Sequence, residues 1–354
     1  MTCYSPKSKV IRCVTSTGAA LHCTAEKHRR SGERTSTIMG SWNCLVVLLL
    51  ALPSALSMAY KEPGSLLYPY GPAHNDLFTD IEDDGGTDEI FLTHSFTFFE
   101  EIHRRLYVNN NGAISFNTPV TEYTPDAFPI PDLYMICPYW GDVDNECGGL
   151  IYYRQTTDEE LLSRLSDDIN KMSKMKYFHA EWAFIATWDA VAYHGTESNK
   201  TNTFQVILAA DGLYSTVMFI YHDIQWTTGT ASGGDPKTGL GGTPAQAGFN
   251  TGNEYFNIPF SRTEHIINIK SSSNVGVPGV WLFRVDKFVA LGGCQYKRSF
   301  LSHGQTVWID EGCTTHCTCR HSGEVLCIDK KCNEGFVCVP SDQYYLCQID
   351  EENC

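Results

Sequence analysis

At 354 residues the chain is long enough for two or three domains, and with 42% hydrophobic and 12% aromatic residues it can bury a substantial core. Its formal charge is −15; residues 1–57 carry seven Lys/Arg against two Asp/Glu, which leaves 19 basic and 39 acidic residues, a net −20, on the rest. So acidic a surface repels phosphate backbones, anionic lipids and heparin-like polymers, which excludes nucleic acid as a partner class and suits solubility or association with cations.

Residues 1–38 are basic and polar, without apolar periodicity. Cys44 to Leu56 then contains Leu-Val-Val-Leu-Leu-Leu-Ala-Leu, an apolar run too short to span a bilayer but of the length of a secretory h-region. Ala55-Leu56-Ser57 supplies a small-x-small cleavage signal. Met39 directly precedes this segment and is the expected start; residues 1–38, with Cys3, Cys13 and Cys23, would then lie upstream of the translated protein. The alternative is a cytosolic tail on a signal anchor, which the short run disfavours.

Tyr60 to Asn75, rich in Pro, Gly and Tyr, reads as extended. Asp80, Glu82, Asp83, Asp84, Asp88 and Glu89 form an acidic run broken by Gly85-Gly86; it lacks the ligand spacing of a known calcium loop and reads as a solvated loop. Phe91 to Phe99 reads as a strand, with Ile90, Leu92, Phe96 and Phe98 on one face. Arg105 to Phe116 reads as a hairpin, because Leu106 and Val108 alternate before Asn110-Asn111-Gly112, a turn that tolerates positive φ, and Ile114 and Phe116 alternate after it. Pro125, Pro129 and Pro131 impose an irregular path before an apolar strand from Tyr134 to Trp140.

Cys137 and Cys147 enclose nine residues and, as the only two cysteines of this region, are expected to form a disulfide. Between them Asp142, Asp144 and Glu146 recur every second residue, so an extended chain points them to one side. Two readings stand. The three could bind Ca²⁺, although Cys147 follows where an EF-hand-type loop would continue to glycine; or the Asp side chains accept backbone hydrogen bonds and fix the loop, which is preferred.

Ile151 to Arg154 reads as a short strand. Thr157 to about Lys174 reads as a helix, opened by Thr157-Asp-Glu-Glu160 in capping-box form and carrying a stripe of Leu161, Leu165, Ile169 and Met172. A strand region from Ala180 to Tyr193 places Trp182 and Trp188 as packing groups. The polar loop that follows, to Asn202, carries the N-glycosylation sequon Asn199-Lys-Thr201, so Asn199 is the expected glycan site. Thr203 to Leu208 and Tyr214 to Trp226 read as a second hairpin around Asp211-Gly212, residues 227–247 as a surface loop, and Ser273 to Arg284 as a closing segment with Val280, Leu282 and Val285 in the sheet. Gly234-Asp-Pro-Lys-Thr238 lacks the glycine before its lysine and the strand-loop-helix setting of a phosphate loop. Many short strands, turn signals and one helix make an antiparallel, mostly β domain of sandwich type.

Five ordered segments carry a family resemblance: Tyr107-Val-Asn-Asn-Asn-Gly-Ala-Ile-Ser-Phe116, Cys137-Pro-Tyr-Trp-Gly-Asp-Val-Asp144, Asn202-Thr-Phe-Gln-Val206, Tyr221-His-Asp-Ile-Gln-Trp226 and Ser273-Asn-Val-Gly-Val-Pro-Gly-Val-Trp281. From about Leu67 to about Asp286 the chain resembles the nidogen-like (NIDO) domain of nidogens, tectorins and some membrane mucins. The resemblance implies an extracellular matrix or adhesion module without catalytic residues or a cofactor.

From Cys294 the character changes: Cys294, Cys313, Cys317, Cys319, Cys327, Cys332, Cys338, Cys347 and Cys354 put nine cysteines into 61 residues, the usage of a disulfide scaffold in an oxidising compartment. Cys313-Thr-Thr-His-Cys-Thr-Cys319, with Gly304 before and Gly323-Glu-Val-Leu-Cys327 after, resembles von Willebrand factor type C-like or trypsin-inhibitor-like-associated modules. The resemblance implies that these cysteines are paired; their connectivity stays open. Zinc on His316 or His321 is the competing arrangement. Nine is odd and the module stops on Cys354, so the expectation is either a truncated module or one cysteine reserved for an intermolecular bridge.

The expected organisation is thus 1–57 upstream segment and signal peptide, 58–290 nidogen-like domain, and 294–354 Cys-rich module. The order is similar to that of tectorin-type matrix proteins. It implies a secreted, non-catalytic matrix or cell-matrix adhesion glycoprotein whose partners are other extracellular matrix glycoproteins, with a disulfide-linked oligomer allowed. The alternatives are a protease-inhibitor-like or mucin-type binding protein, and a secreted hydrolase. No Gly-x-Ser-x-Gly elbow or His-Glu-x-x-His pair supports the last.

Overall fold

The computed structural model describes residues 11–14, 22–25 and 66–349, apart from 174, 176, 297, 298, 302, 303, 321–323, 334 and 341–343. The expected signal segment, Met39, Cys3, Cys44, His321 and Cys354 lie outside the described residues. Residues 4–65 cluster as a separate unit, in which β1 (Ile11–Val14) and β2 (His22–Ala25) pair antiparallel with Cys13 opposite Cys23.

The main unit is an antiparallel β-sandwich. One sheet has seven strands, in the order β15-β14-β11-β10-β9-β8-β3; the other has six, in the order β13-β12-β7-β6-β5-β4. The strands are β3 (Leu77–Phe78), β4 (Ile90–Phe98), β5 (Glu101–Asn109), β6 (Ala113–Ser115), β7 (Met135–Trp140), β8 (Leu150–Thr156), β9 (Trp182–Val191), β10 (Asn202–Ala210), β11 (Ser215–Asp223), β12 (Gln246–Asn250), β13 (Tyr255–Asn257), β14 (Val280–Arg284) and β15 (Val289–Ala290). The hairpin expected at Asn110-Asn111-Gly112 joins β5 to β6, with Asn109 opposite Ala113. Gly112 has φ +87°, which a side-chain-bearing residue rarely adopts.

Strand alternation explains the long apolar runs. On β9, Trp182, Phe184, Ala186 and Trp188 face the core between the sheets, while Ala183 and Ile185 face outward into a second apolar layer. β10, β11 and β14 repeat the pattern, with Phe204 and Val206, Phe219 and Tyr221, and Trp281 and Phe283 inside. The outer layer is closed by helix α1 (Glu159–Ser173) through Leu162, Leu165 and Ile169, and by Leu67 and Tyr68. Gln205, wholly buried, binds both the N–H and the carbonyl of Tyr68 with its amide, and so fastens the segment leading into the domain to the sheet. The outer face of the six-stranded sheet is closed by the Pro-rich segment, where Val120 and Phe128 pack on Ala113, Met135, Cys137 and Trp140. Burying each side chain of this size removes about 1.5–3 kcal/mol of unfavourable hydration, so an aromatic-rich interior gives a large driving force.

Four expectations need correction. The α1 cap is Asp158, whose Oδ1 accepts the Leu161 N–H at 2.9 Å, and not Thr157. The fully buried stripe runs through Leu162, Leu165 and Ile169, with Leu161 and Met172 at its margin. Residues 227–247 are only partly surface: Thr227, Thr228, Ala245 and Ala247 are buried, and β12 begins at Gln246. The Cys137–Cys147 disulfide does not form. Cys137 is a free thiol in the middle of β7, buried on the outer face of its sheet, and Cys147 is in a disulfide of its own. After Trp140 the chain leaves that sheet and bridges Val143 to Tyr193 at the end of β9, so the two cysteines are carried to different places.

The Cys-rich module has a hairpin, β16 (Cys294–Tyr296) with β17 (Ser299–Leu301), and a five-stranded sheet ordered β20-β19-β18-β22-β21. Its strands are β18 (Thr306–Trp308), β19 (Thr315–Cys319), β20 (Val325–Asp329), β21 (Phe336–Pro340) and β22 (Tyr345–Ile349). Disulfides join Cys294 to Cys319, Cys313 to Cys338, Cys317 to Cys327, and Cys332 to Cys347. Those bonds consume the thiolates that the zinc arrangement around His316 would need. Among the described residues no helix is long and apolar enough to cross a membrane.

Candidate functional site

The loops beside the Asn110-Asn111-Gly112 turn hold the buried carboxylates Asp142 and Asp144. Asn111 holds the arrangement. Its carbonyl accepts the Gly141 N–H at 3.0 Å, its Oδ1 accepts the Val143 N–H at 3.0 Å, and its Nδ2 donates to Asp84 at 2.9 Å. Asn110 gives its N–H to Gly85 O and its Nδ2 to the carbonyls of Asp80 and Glu82, while its own carbonyl accepts the Trp188 indole N–H at 3.0 Å. The Asn-Asn-Gly turn thereby ties the acidic run 80–86 to the segment after β7. Asn145 adds a second tie, accepting the Glu82 N–H and donating to Asp80 O.

Three of the groups brought together are Asp83, Asp144 and His194, whose ligand atoms all lie within 4.8 Å of one another. His194 Nδ1 is 2.9 Å from Asp83 and 3.8 Å from Asp144. His194 is positioned by its backbone N–H, which donates to Asp142 O at 3.0 Å, and Asp144 by its own N–H, which donates to Ala192 O. Asp142 is buried beside them; its carboxylate accepts the Ser232 N–H at 3.3 Å, and the space next to it is filled by Gly229, where a Cβ would come within 2.3 Å of the Asp142 oxygen.

The electrostatics follow from burial. Desolvation raises Asp142 to about 6, against attraction by His194. Desolvation and then the Asp144 charge raise Asp83 to about 6. Burial pulls His194 down, but Asp83 and Asp142 outweigh it and hold its pKa above the usual imidazole value. The site is therefore a carboxylate–imidazole cluster in which burial holds the Asp83 and Asp142 carboxyls well above the usual carboxylate range.

Of the sequence candidates, Asp142 and Asp144 are here, and Glu146 is exposed outside the cluster. Asp144 Oδ1 accepts the N–H groups of Glu146 and Cys147, at 2.9 and 3.2 Å, so part of its capacity fixes the loop. The donor set of two carboxylates and an imidazole departs from the all-oxygen shell that Ca²⁺ prefers. Asp83 and His194, separated by 111 residues, carry no local signal that would unite them; only the acidic run marked Asp83 at all. Asn199 is exposed on the loop between β9 and β10, open to a glycosyl group.

Residues 104–287 match the nidogen-like domain, and residues 293–348 match the TILa domain. The chain is 42% identical to alpha-tectorin of Mus musculus over 323 residues, which are 89% of this chain and 15% of that protein. It is 43% identical to alpha-tectorin of Homo sapiens over 84% of this chain and 14% of that protein, and 30% identical to nidogen of Drosophila melanogaster over 74% and 19%. The chain thus spans less than a fifth of the length of these relatives. No solved structure matches it.

Proposed function

Because the chain belongs to the nidogen-like (NIDO) domain family, we propose that it is a secreted, non-catalytic extracellular matrix glycoprotein of the alpha-tectorin type. The observation that carries this reading is the order of modules, a nidogen-like domain followed by a TILa module, aligned with alpha-tectorin across 89% of the chain. Four disulfides in the Cys-rich module support an oxidising compartment, where such bonds form and persist. The exposed sequon at Asn199 supports glycosylation on the same route. A sandwich covered on both outer faces and followed by a disulfide-stapled module suits a mechanical scaffold, and its partners on this reading are other matrix glycoproteins.

The test is expression in animal cells that lay down a matrix, with the chain followed in medium, cell lysate and detergent-insoluble matrix. The proposal expects the chain in the matrix fraction and no turnover of peptide or ester substrates. Retention in the cytosol, or turnover abolished by a single substitution, would overturn it.

A further inference from the structure

The β4–β5 turn holds two bulky residues where glycine is expected. Phe98 pairs with Glu101, so the turn is Phe99-Glu100, with φ of 48° and 66°. Left-handed backbone at such residues costs about 1–3 kcal/mol each and persists only where the surroundings impose it. Here the N–H groups of Phe99 and Glu100 donate to Val285 O at 2.7 Å and Asp286 O at 2.8 Å, which locks the turn onto the end of β14. The turn forms one wall of a cleft of about 600 Å³. Its apolar lining includes Phe99, Tyr134, Tyr255 and Phe288, with Phe99 stacked on Phe288 at 5.2 Å. Its rim carries Glu100, Glu101 and Glu254, all exposed, against Lys287, the one cation among the described lining residues. Glu101 is oriented by the Tyr134 hydroxyl, which donates to it at 2.7 Å.

We infer that this cleft receives an arginine side chain of a partner protein. Ring faces attract a cation, and a planar guanidinium stacks on them while its edge N–H groups reach carboxylates at the rim. Three carboxylates against one lysine leave an excess of negative charge that selects for a cationic occupant and against an anionic one.

The test is saturation-transfer NMR on the full chain at low salt, with N-acetyl-arginine methylamide at about 10 mM, a concentration suited to a single anchoring side chain with a millimolar Kd. The uncharged citrulline isostere and a neutral methyl hexoside serve as comparison probes. Transfer to the arginine side chain is expected, with none to the other two. Glu100→Gln with Glu254→Gln should weaken binding about three- to tenfold and Lys287→Gln should tighten it about twofold, in line with exposed ion pairs of a few tenths to one kcal/mol each. These are exposed rim residues, and an unchanged melting curve confirms folding of each variant. Equal transfer to citrulline, transfer to the hexoside instead, no transfer to arginine, or affinity indifferent to the glutamate substitutions would each overturn the inference.

Discussion

Replacing Asp142 by Asn tests the electrostatics of the rim cluster. Asp142 is 2% exposed, and its carboxyl is held at about 6 against an ordinary value of 3.8. A group whose pKa is raised on folding contributes stability that is fully present below the unfolded value and lost as pH rises through the folded one. Two pH units correspond to about 3 kcal/mol, so at pH 7.5 the ionised Asp142 costs the folded state up to that amount. An Asn side chain keeps an oxygen to accept the Ser232 N–H but carries no charge. Asp142→Asn should therefore stabilise the domain by about 1–3 kcal/mol at pH 7.5, which for a domain of this size raises Tm by roughly 3–9 °C. At pH 3, where Asp142 is protonated in the folded and unfolded chain alike, the two proteins should melt together. The assay is thermal unfolding by circular dichroism in chelator at both pH values. A variant less stable than the parent at pH 7.5 in chelator would mean instead that the ionised carboxylate is a net stabilising partner. A calcium titration of both proteins adds a second arm: gain of stability by the parent alone would assign the cluster a cation that the hydrogen bonding does not require.

Three further outcomes follow from single features. Gly112→Ala places a Cβ 2.0 Å from the Tyr139 carbonyl oxygen at a φ of +87°, so it should cost several kcal/mol and sharply reduce the yield of folded protein. Asp158→Ala removes the α1 cap and should lower stability by about 1 kcal/mol, read as a shift in urea midpoint at unchanged slope. Cys317→Ser with Cys327→Ser opens a disulfide loop closed across β19 and β20 and should destabilise the Cys-rich module by about 2–4 kcal/mol, seen as faster proteolysis of residues beyond 294, with the nidogen-like domain melting unchanged.

The parts of the fold that were legible share a local cause. The β5–β6 hairpin announces itself through an Asn-Asn-Gly turn that needs a left-handed glycine, and the β9 and β10 runs through large apolar residues. The α1 stripe opens on Leu162 and not Leu161 because both are apolar, and only packing against the seven-stranded sheet chooses between them. β12 escaped notice although Ala245, Ala247 and Phe249 do alternate and all face the core; two are small, and the surrounding glycines and threonines read as loop. Two cysteines in one segment do not imply a bond between them, because pairing depends on where the strands carry each one. The rim cluster was half legible for the same reason. Asp142 and Asp144 stand in one tight segment, but Asp83 and His194 reach it only through the closure of both sheets.

The most direct test of the central claim is intact mass with amino-terminal sequencing of the chain made in animal cells, with and without reduction and glycosidase. The expected product is a chain recovered from the medium that begins after the apolar segment near Ser57, loses a glycan at Asn199 on glycosidase treatment, has the eight cysteines from Cys294 to Cys347 paired, and holds Cys137 as a thiol that alkylates only on unfolding. A chain retained in the cytosol, unglycosylated and with those eight thiols free, would contradict it.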